Sequence, residues 1–184
     1  PTSLTTTADY EGLSTRIVDP QGRTAKPIAN AAGQVRRPLD PDSYYKQFDY
    51  DAFGNASRVQ DSSGNTNQSA SFNVRGLRLQ SVDSDMGTWN YSYNALGELS
   101  SHTDAKGQTA YYYYDALSRP YQKNEPSPVS GTVTNEWIWG NSATSKNIGR
   151  IQEARVSGDG MTYYRELSYY DAVSRPSQVD YYDG

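Results

Sequence analysis

The chain has 184 residues, 35% of them hydrophobic, a net charge of −4 and a mean hydropathy of −0.86. That is one domain's worth of chain without the apolar content of a thick, dry core. The acidic balance argues against nucleic acid as a partner, the lack of cysteine excludes disulfides and thiol chemistry, and no apolar run reaches the roughly 20 residues of a membrane span.

In chain order, one turn phrase returns again and again. It begins at Tyr10, Ala29, Tyr50, Phe72, Tyr93, Tyr114 and Tyr170, with a degenerate copy at Trp139 closed by Gly149-Arg150-Ile151. The starts at 29, 50, 72, 93 and 114 lie 21 or 22 residues apart; wider steps around 139 imply insertions. The clearest copies are Tyr93-Asn94-Ala95-Leu96-Gly97-Glu98-Leu99 and Tyr114-Asp115-Ala116-Leu117-Ser118-Arg119-Pro120. Asp or Asn in second place can accept a backbone hydrogen bond two residues on, and Gly three residues later tolerates a left-handed backbone. A type I turn followed by a left-handed Gly joins antiparallel strands.

A second turn phrase keeps step with the first: Asp19-Pro20-Gln21-Gly22, Asp61-Ser62-Ser63-Gly64, Asp83 to Gly87 and Asp104-Ala105-Lys106-Gly107, with looser forms at Gly131 and at Asp159-Gly160. Between turns, Trp89, Tyr91 and Tyr93 alternate with Asn90 and Ser92, the period of a strand. Leu99, Ser101 and Thr103 share one predicted face, with Glu98, Ser100 and His102 on the other, and residues 109–114 are rich in β-favouring side chains. The pattern predicts an all-β array of antiparallel hairpins. No segment has a convincing helical period; residues 29–35 come nearest, but Gly33 sits at the turn position. Ser14, Ser118 and Ser174 stand where Gly is expected, so turns of a different shape are expected there. Gly140 to Asn147 reads as an exposed polar loop. Seventeen tyrosines against three phenylalanines suit a sheet with both faces partly wet, because the ring is apolar and its end is polar.

Catalytic, cofactor and metal residues are expected to be absent. His102 is the only histidine, and no base, nucleophile and orienting group are spaced as a triad. The pairs Asp40/Asp42, Asp49/Asp51 and Asp83/Asp85 fall short of the 6–8 oxygens calcium takes and read as turn chemistry. Tyr111 to Tyr114, with Trp137 and Trp139, read as cross-strand pairs, the rival reading being a sugar-stacking surface. Arg36-Arg37 is too small a basic patch for nucleic acid. The triplets at Asn55, Asn67 and Asn90 match a glycosylation pattern without further support.

Tyr-Asp-Ala-Phe-Gly-Asn at 50–55, Tyr-Asn-Ala-Leu-Gly-Glu-Leu at 93–99 and Val-Asp-Pro-Gln-Gly-Arg-Thr at 18–24 resemble YD repeats. These belong to the Rhs family, which includes bacterial Rhs proteins, the B/C components of Tc toxins and the shell of animal teneurins. The resemblance runs over about residues 10–184. It implies a curled strip of hairpins in a spiralling hollow shell that encloses a C-terminal toxin. It further implies a single YD-repeat array over 1–184 that is a fragment of a larger, secreted or cell-surface bacterial protein. The partners implied are the rest of the shell and the toxin cargo; the alternative function is a module binding a cell-surface glycan. The family's aspartic self-cleavage site has an Asp-Pro-x-Gly-type string. Asp19-Pro20-Gln21-Gly22 matches it, but in phase with the ordinary turns, and so reads as a turn.

Overall fold

The computed structural model describes residues 5–38, 45–158 and 161–183. The regular structure among them is β throughout, and neighbouring strands pair antiparallel, in keeping with the two-residue alternation. The strands are β1 Thr7–Glu11, β2 Ser14–Val18, β3 Thr24–Ala25, β4 Ile28–Ala29, β5 Val35–Arg37, β6 Gln47–Tyr50, β7 Ala56–Gln60, β8 Thr66–Phe72 and β9 Arg78–Asp83. They continue as β10 Gly87–Tyr93, β11 Leu99–Thr103, β12 Thr109–Tyr114, β13 Pro120–Pro126, β14 Thr132–Trp139, β15 Ile151–Gly158, β16 Met161–Tyr170 and β17 Pro176–Asp183. A first sheet has the order β1-β2-β4-β5, with β3 on β2; in the second, β6 to β17 follow their order in the chain. The chain divides into two compact units, Pro1–Trp89 and Asn90–Gly184.

The core is thin. Ala110 is the one buried hydrophobic residue among the described residues, and no side chain is wholly buried. In the second unit β11 is half-buried at every position, and so is β14 after its first residue. Each strand therefore depends on ladder hydrogen bonds and side-chain pairs with the strands beside it.

Most copies of the two turn phrases fold into one structure; the copy at Asp83 does not, its Oδ1 accepting the N–H of Asp85 and Met86 instead. Among the described residues nine five-residue turns begin at Asp19, Asn30, Asp51, Asp61, Asn73, Asn94, Asp104, Asp115 and Asp171. In each, the fourth N–H donates to the first carbonyl and the first N–H to the fifth carbonyl. The fourth residue is left-handed every time, with φ from 58° to 90°. Ser118 and Ser174 correct an expectation: at φ 60° and 58° they adopt the glycine geometry with the same hydrogen bonds. The cap on the first residue holds the turn closed and outweighs the roughly 1–2 kcal/mol that a side chain costs there. At Ser14 the turn does take a different shape, as expected. Glu11 pairs with Ser14 across a two-residue turn, so Ser14 opens β2 and the left-handed residue is Gly12.

Gly140 to Asn147 is a loop exposed at Asn141 and at residues 143–146, with Gly140 and Asn147 buried at its ends. The loop is tethered at both ends, Gly140 N–H to the Arg150 carbonyl and Gly149 N–H to the Gly140 carbonyl. Asn147 turns inward against Gly140 and is only 3% exposed. The turn read at Asp159–Gly160 and the pair Asp40/Asp42 lie outside the described residues.

Candidate functional site

The chemistry of this chain is concentrated in what holds its strands together. The first device is the turn cap. In each of the nine turns the first side chain's Oδ1 accepts the N–H of the third residue and of the fifth; at Asp51 these are Phe53 and Asn55, both at 2.9 Å. In seven of the nine its other terminal atom bonds the fifth side chain. Where the turn opens with Asp, the partner is a donor: Arg23, Asn55, Asn65, Arg119 or Arg175. Where it opens with Asn, the amide donates to an acceptor, Gln34 or Glu98. This complementarity is written in the sequence, in residues four apart, and a reading for turn formers alone passes over it.

The second device is the aromatic residue that opens most copies of the first turn phrase. Ala29 holds this place without a ring. The strand register shifts at Tyr50, Phe72, Tyr93, Tyr114, Trp139 and Tyr170, which places each ring at a bulge. From there the polar end reaches back one strand. Tyr114 Oη donates to the Leu99 carbonyl at 3.1 Å, Trp139 Nε1 to Pro120 at 2.8 Å and Tyr170 Oη to Ile151 at 2.6 Å. In the first unit Tyr50 does the same to Val35 at 2.9 Å. The ladder cannot serve these carbonyls from that side: pairing of β11 with β12 stops at Ser101, of β13 with β14 at Gln122 and of β15 with β16 at Glu153. The aromatic donor satisfies a polar group that would otherwise lack a partner at the sheet margin.

Phe72 occupies the same position without a hydroxyl. Phe72→Tyr is expected to gain a hydrogen bond to the Ala56 carbonyl, and Tyr114→Phe to lose its own, each worth about 1 kcal/mol. Urea unfolding checks both, with opposite shifts of the midpoint expected.

His102 sits within a cross-strand row. Tyr91 faces it directly, and the Tyr112 hydroxyl lies 3.2 Å from its Nδ1. Their rings flank the imidazole at 6.4 and 5.7 Å, and the Lys123 ammonium lies 6.0 Å from the Tyr112 ring centre. Partial burial, aided by Lys123, holds the His102 pKa below its ordinary value; Asp104 and Glu125 oppose this.

The carboxylates weighed as metal ligands have other donors. Asp49 binds Arg36 and Arg58, Asp51 caps its own turn, and Asp83 accepts from Asp85 N–H, Met86 N–H and Gln68. Among the described residues no cluster of three or more His, Asp or Glu side chains could hold a metal ion. Trp137 faces Ala154 in the sheet, and Arg119 stacks 4.9 Å over the Trp139 ring. In the second unit an open cleft of about 470 Å³ lies between residues 144–147 and β15–β16. Its charged wall, Glu153, is already held by Arg165 at 2.8 Å and Arg155 at 3.8 Å. The loop anchor Asn147 gives no motif in the sequence; its Oδ1 accepts Ser142 N–H and its Nδ2 donates to Gln152.

The caps respond to acid. Hydrogen bonds from Asn55, Asn65 and Arg119 hold the carboxyls of Asp51, Asp61 and Asp115 below their ordinary range, as the Arg175 backbone N–H does for Asp171. A folded pKa below the unfolded one gives stability that is present above about pH 4 and lost as pH falls through the folded value. His102, also lowered, begins the loss nearer its ordinary value of about 6.5. The urea midpoint should fall between pH 7.5 and 5.5 and fall further by pH 3. His102→Gln should flatten the upper step alone; a midpoint constant down to pH 3 would contradict the cap account.

No protein-family model and no curated protein matches the chain. Solved structures match it closely in fold. The crystal structure of TcdB2–TccC3 without its hypervariable C-terminal region gives a TM-score of 0.68 at 13% identity, over 97% of this chain and 11% of that one. The TcdB2–TccC3–Cdc42 crystal structure gives 0.69 at 14% identity, over 97% and 11%. A Tc holotoxin pore structure from Photorhabdus luminescens gives 0.67 at 16% identity, over 91% and 10%. The chain therefore spans about a tenth of the length of these neighbours. At such identity the fold is what is shared: this chain has the antiparallel hairpin array found in the TcdB2–TccC3 structures, as its resemblance to YD repeats implies.

Proposed function

We propose that the chain is a non-enzymatic wall segment of an Rhs/YD-repeat shell, secreted as part of a larger protein, that encloses a polypeptide cargo of the toxin class. The repeats beginning near 10, 29, 50, 72, 93, 114, 139 and 170 form one array in this reading. The aromatic donors to strand-margin carbonyls are the observation that carries it. They use the chain's polar chemistry internally, strand after strand, which is what a continuous barrier needs. The likeness to TcdB2–TccC3, solved with and without a hypervariable C-terminal region, supports the same reading. Glycan attachment through Tyr111 to Tyr114 has less support, since Tyr112 is engaged with His102 and Tyr114 with Leu99.

The test is protease protection in the full-length protein. Polypeptide C-terminal to the array should resist digestion, and a substitution that opens the wall, such as Gly140→Ala, should expose it. Equal cleavage in both proteins would overturn the proposal.

A further inference from the structure

Residues 140–150 join β14 to β15, where the repeats at Tyr93, Tyr114 and Tyr170 use a five-residue turn. The extra chain is not needed to reverse direction. Nor is it loose, because the buried side chain of Asn147 fixes it from within. What it builds is the open cleft of about 470 Å³ against β15 and β16, a volume in the range of small-molecule sites.

The walls of the cleft specify what it can hold. Its charges are balanced. The Glu153 side chain, 11% exposed, lies 2.8 Å from Arg165 and 3.8 Å from Arg155, and Arg155 lies 2.6 Å from Glu136. An ion entering the cleft would find no unpaired countercharge to offset the loss of its water. Its neutral polar groups, by contrast, have capacity to spare. Gln152 Oε1 accepts from Asn147 Nδ2, which leaves the Nε2 hydrogens without a partner among the described residues. The Thr144 and Ser145 hydroxyls are in the same state, and each can both donate and accept.

The floor adds an apolar surface. Arg165, Leu167 and Tyr169 alternate onto one face of β16, and Glu153 stands opposite Leu167 in the ladder. Leu167 and the Tyr169 ring, 46% exposed, therefore lie beside the paired charges and under the loop. A matching ligand is uncharged, apolar on one side and hydroxylated around its rim. A sugar ring has that construction, with C–H bonds on a face and hydroxyls at its margin.

We propose that the cleft between the 140–150 insertion and β15–β16 binds a neutral pyranose ring, stacked on Tyr169 and hydrogen-bonded by Gln152, Thr144 and Ser145. The site is separate from Tyr111 to Tyr114. It goes beyond the wall-segment reading, since a wall can enclose cargo whether or not its inserted loop holds a sugar.

The probes are the methyl glycosides of glucose, mannose, galactose and N-acetylglucosamine, with N-acetylneuraminate as the charged counter-probe. Each is titrated into the intact chain while amide chemical shifts are followed residue by residue. At least one neutral glycoside should give saturable shifts confined to residues 144–147, Gln152 and 167–169. Tyr169→Ala should weaken it about tenfold through loss of the ring contact, while Tyr169→Phe should bind like the wild type. Gln152→Ala should weaken it about fivefold, the loss of one hydrogen bond. Both positions are exposed, and an unchanged urea midpoint checks that each variant is folded. The proposal is overturned if no neutral glycoside saturates, if the shifts arise elsewhere, or if N-acetylneuraminate binds more tightly than every neutral probe. It is equally overturned if affinity is unchanged in Tyr169→Ala or Gln152→Ala, or if Tyr169→Phe loses as much as Tyr169→Ala.

Discussion

Gly140→Ala is expected to cost about 3 kcal/mol, although it adds a single methyl group to a loop. A Cβ at Gly140 would stand 2.2 Å from Asn147 Cγ and 2.5 Å from the Asn147 carbonyl oxygen. Asn147 cannot give way freely. Its N–H donates to the Ser142 carbonyl, its own carbonyl accepts Arg150 N–H, and its side chain bonds Ser142 and Gln152. The methyl must displace an anchor that ties the insertion to the Trp139–Ile151 end of β14 and β15. The double variant Gly140→Ala/Asn147→Gly should recover only part of the loss, because the clash with the main-chain oxygen remains. Chemical unfolding of the single and double variants measures this coupling. Additive effects would show that the loop adapts without the anchor.

Gly97→Val is expected to cost more than the roughly 1–2 kcal/mol of an ordinary side chain in the left-handed region, because valine is branched at Cβ. Gly97 has φ 90°, against 60° and 58° for the serines accepted at the equivalent place. Those serines follow Asp115 and Asp171, whose carboxylates are bonded to Arg119 and Arg175, whereas Asn94 pairs with Glu98 through a neutral amide. Gly97→Ser should therefore be tolerated better than Gly97→Val.

Much of this fold was legible in the chain. Asp or Asn followed three residues later by Gly marks a closed turn, and the intervals leave room for little except strands. Tyrosine in place of Phe, Leu and Val announced a thin sheet. Ser118 and Ser174 were misjudged because local steric cost was weighed without the cap that offsets it. The expected difference at Ser14 arises because Gly12 closes a shorter turn first. The targets of Tyr114, Trp139 and Tyr170 could not be read from sequence: they follow from where pairing stops, and register is a property of two strands together. Asn147 was hidden for a similar reason, since its burial depends on the absence of a side chain at Gly140, across the loop. The fifth-residue code was present in seven of the nine turns, in Asp with Arg or Asn and in Asn with Gln or Glu; Leu77 after Asn73 and Gln108 after Asp104 depart from it.

An array in which each strand depends on its sequence neighbours should fail locally. Residue-resolved amide hydrogen exchange, compared between the wild-type chain and Gly97→Val, tests this most directly. The account predicts lost protection in β10 and β11, a smaller loss in β12, and unchanged protection in β15 to β17. A uniform loss across all of these strands would contradict it and indicate a single cooperative core.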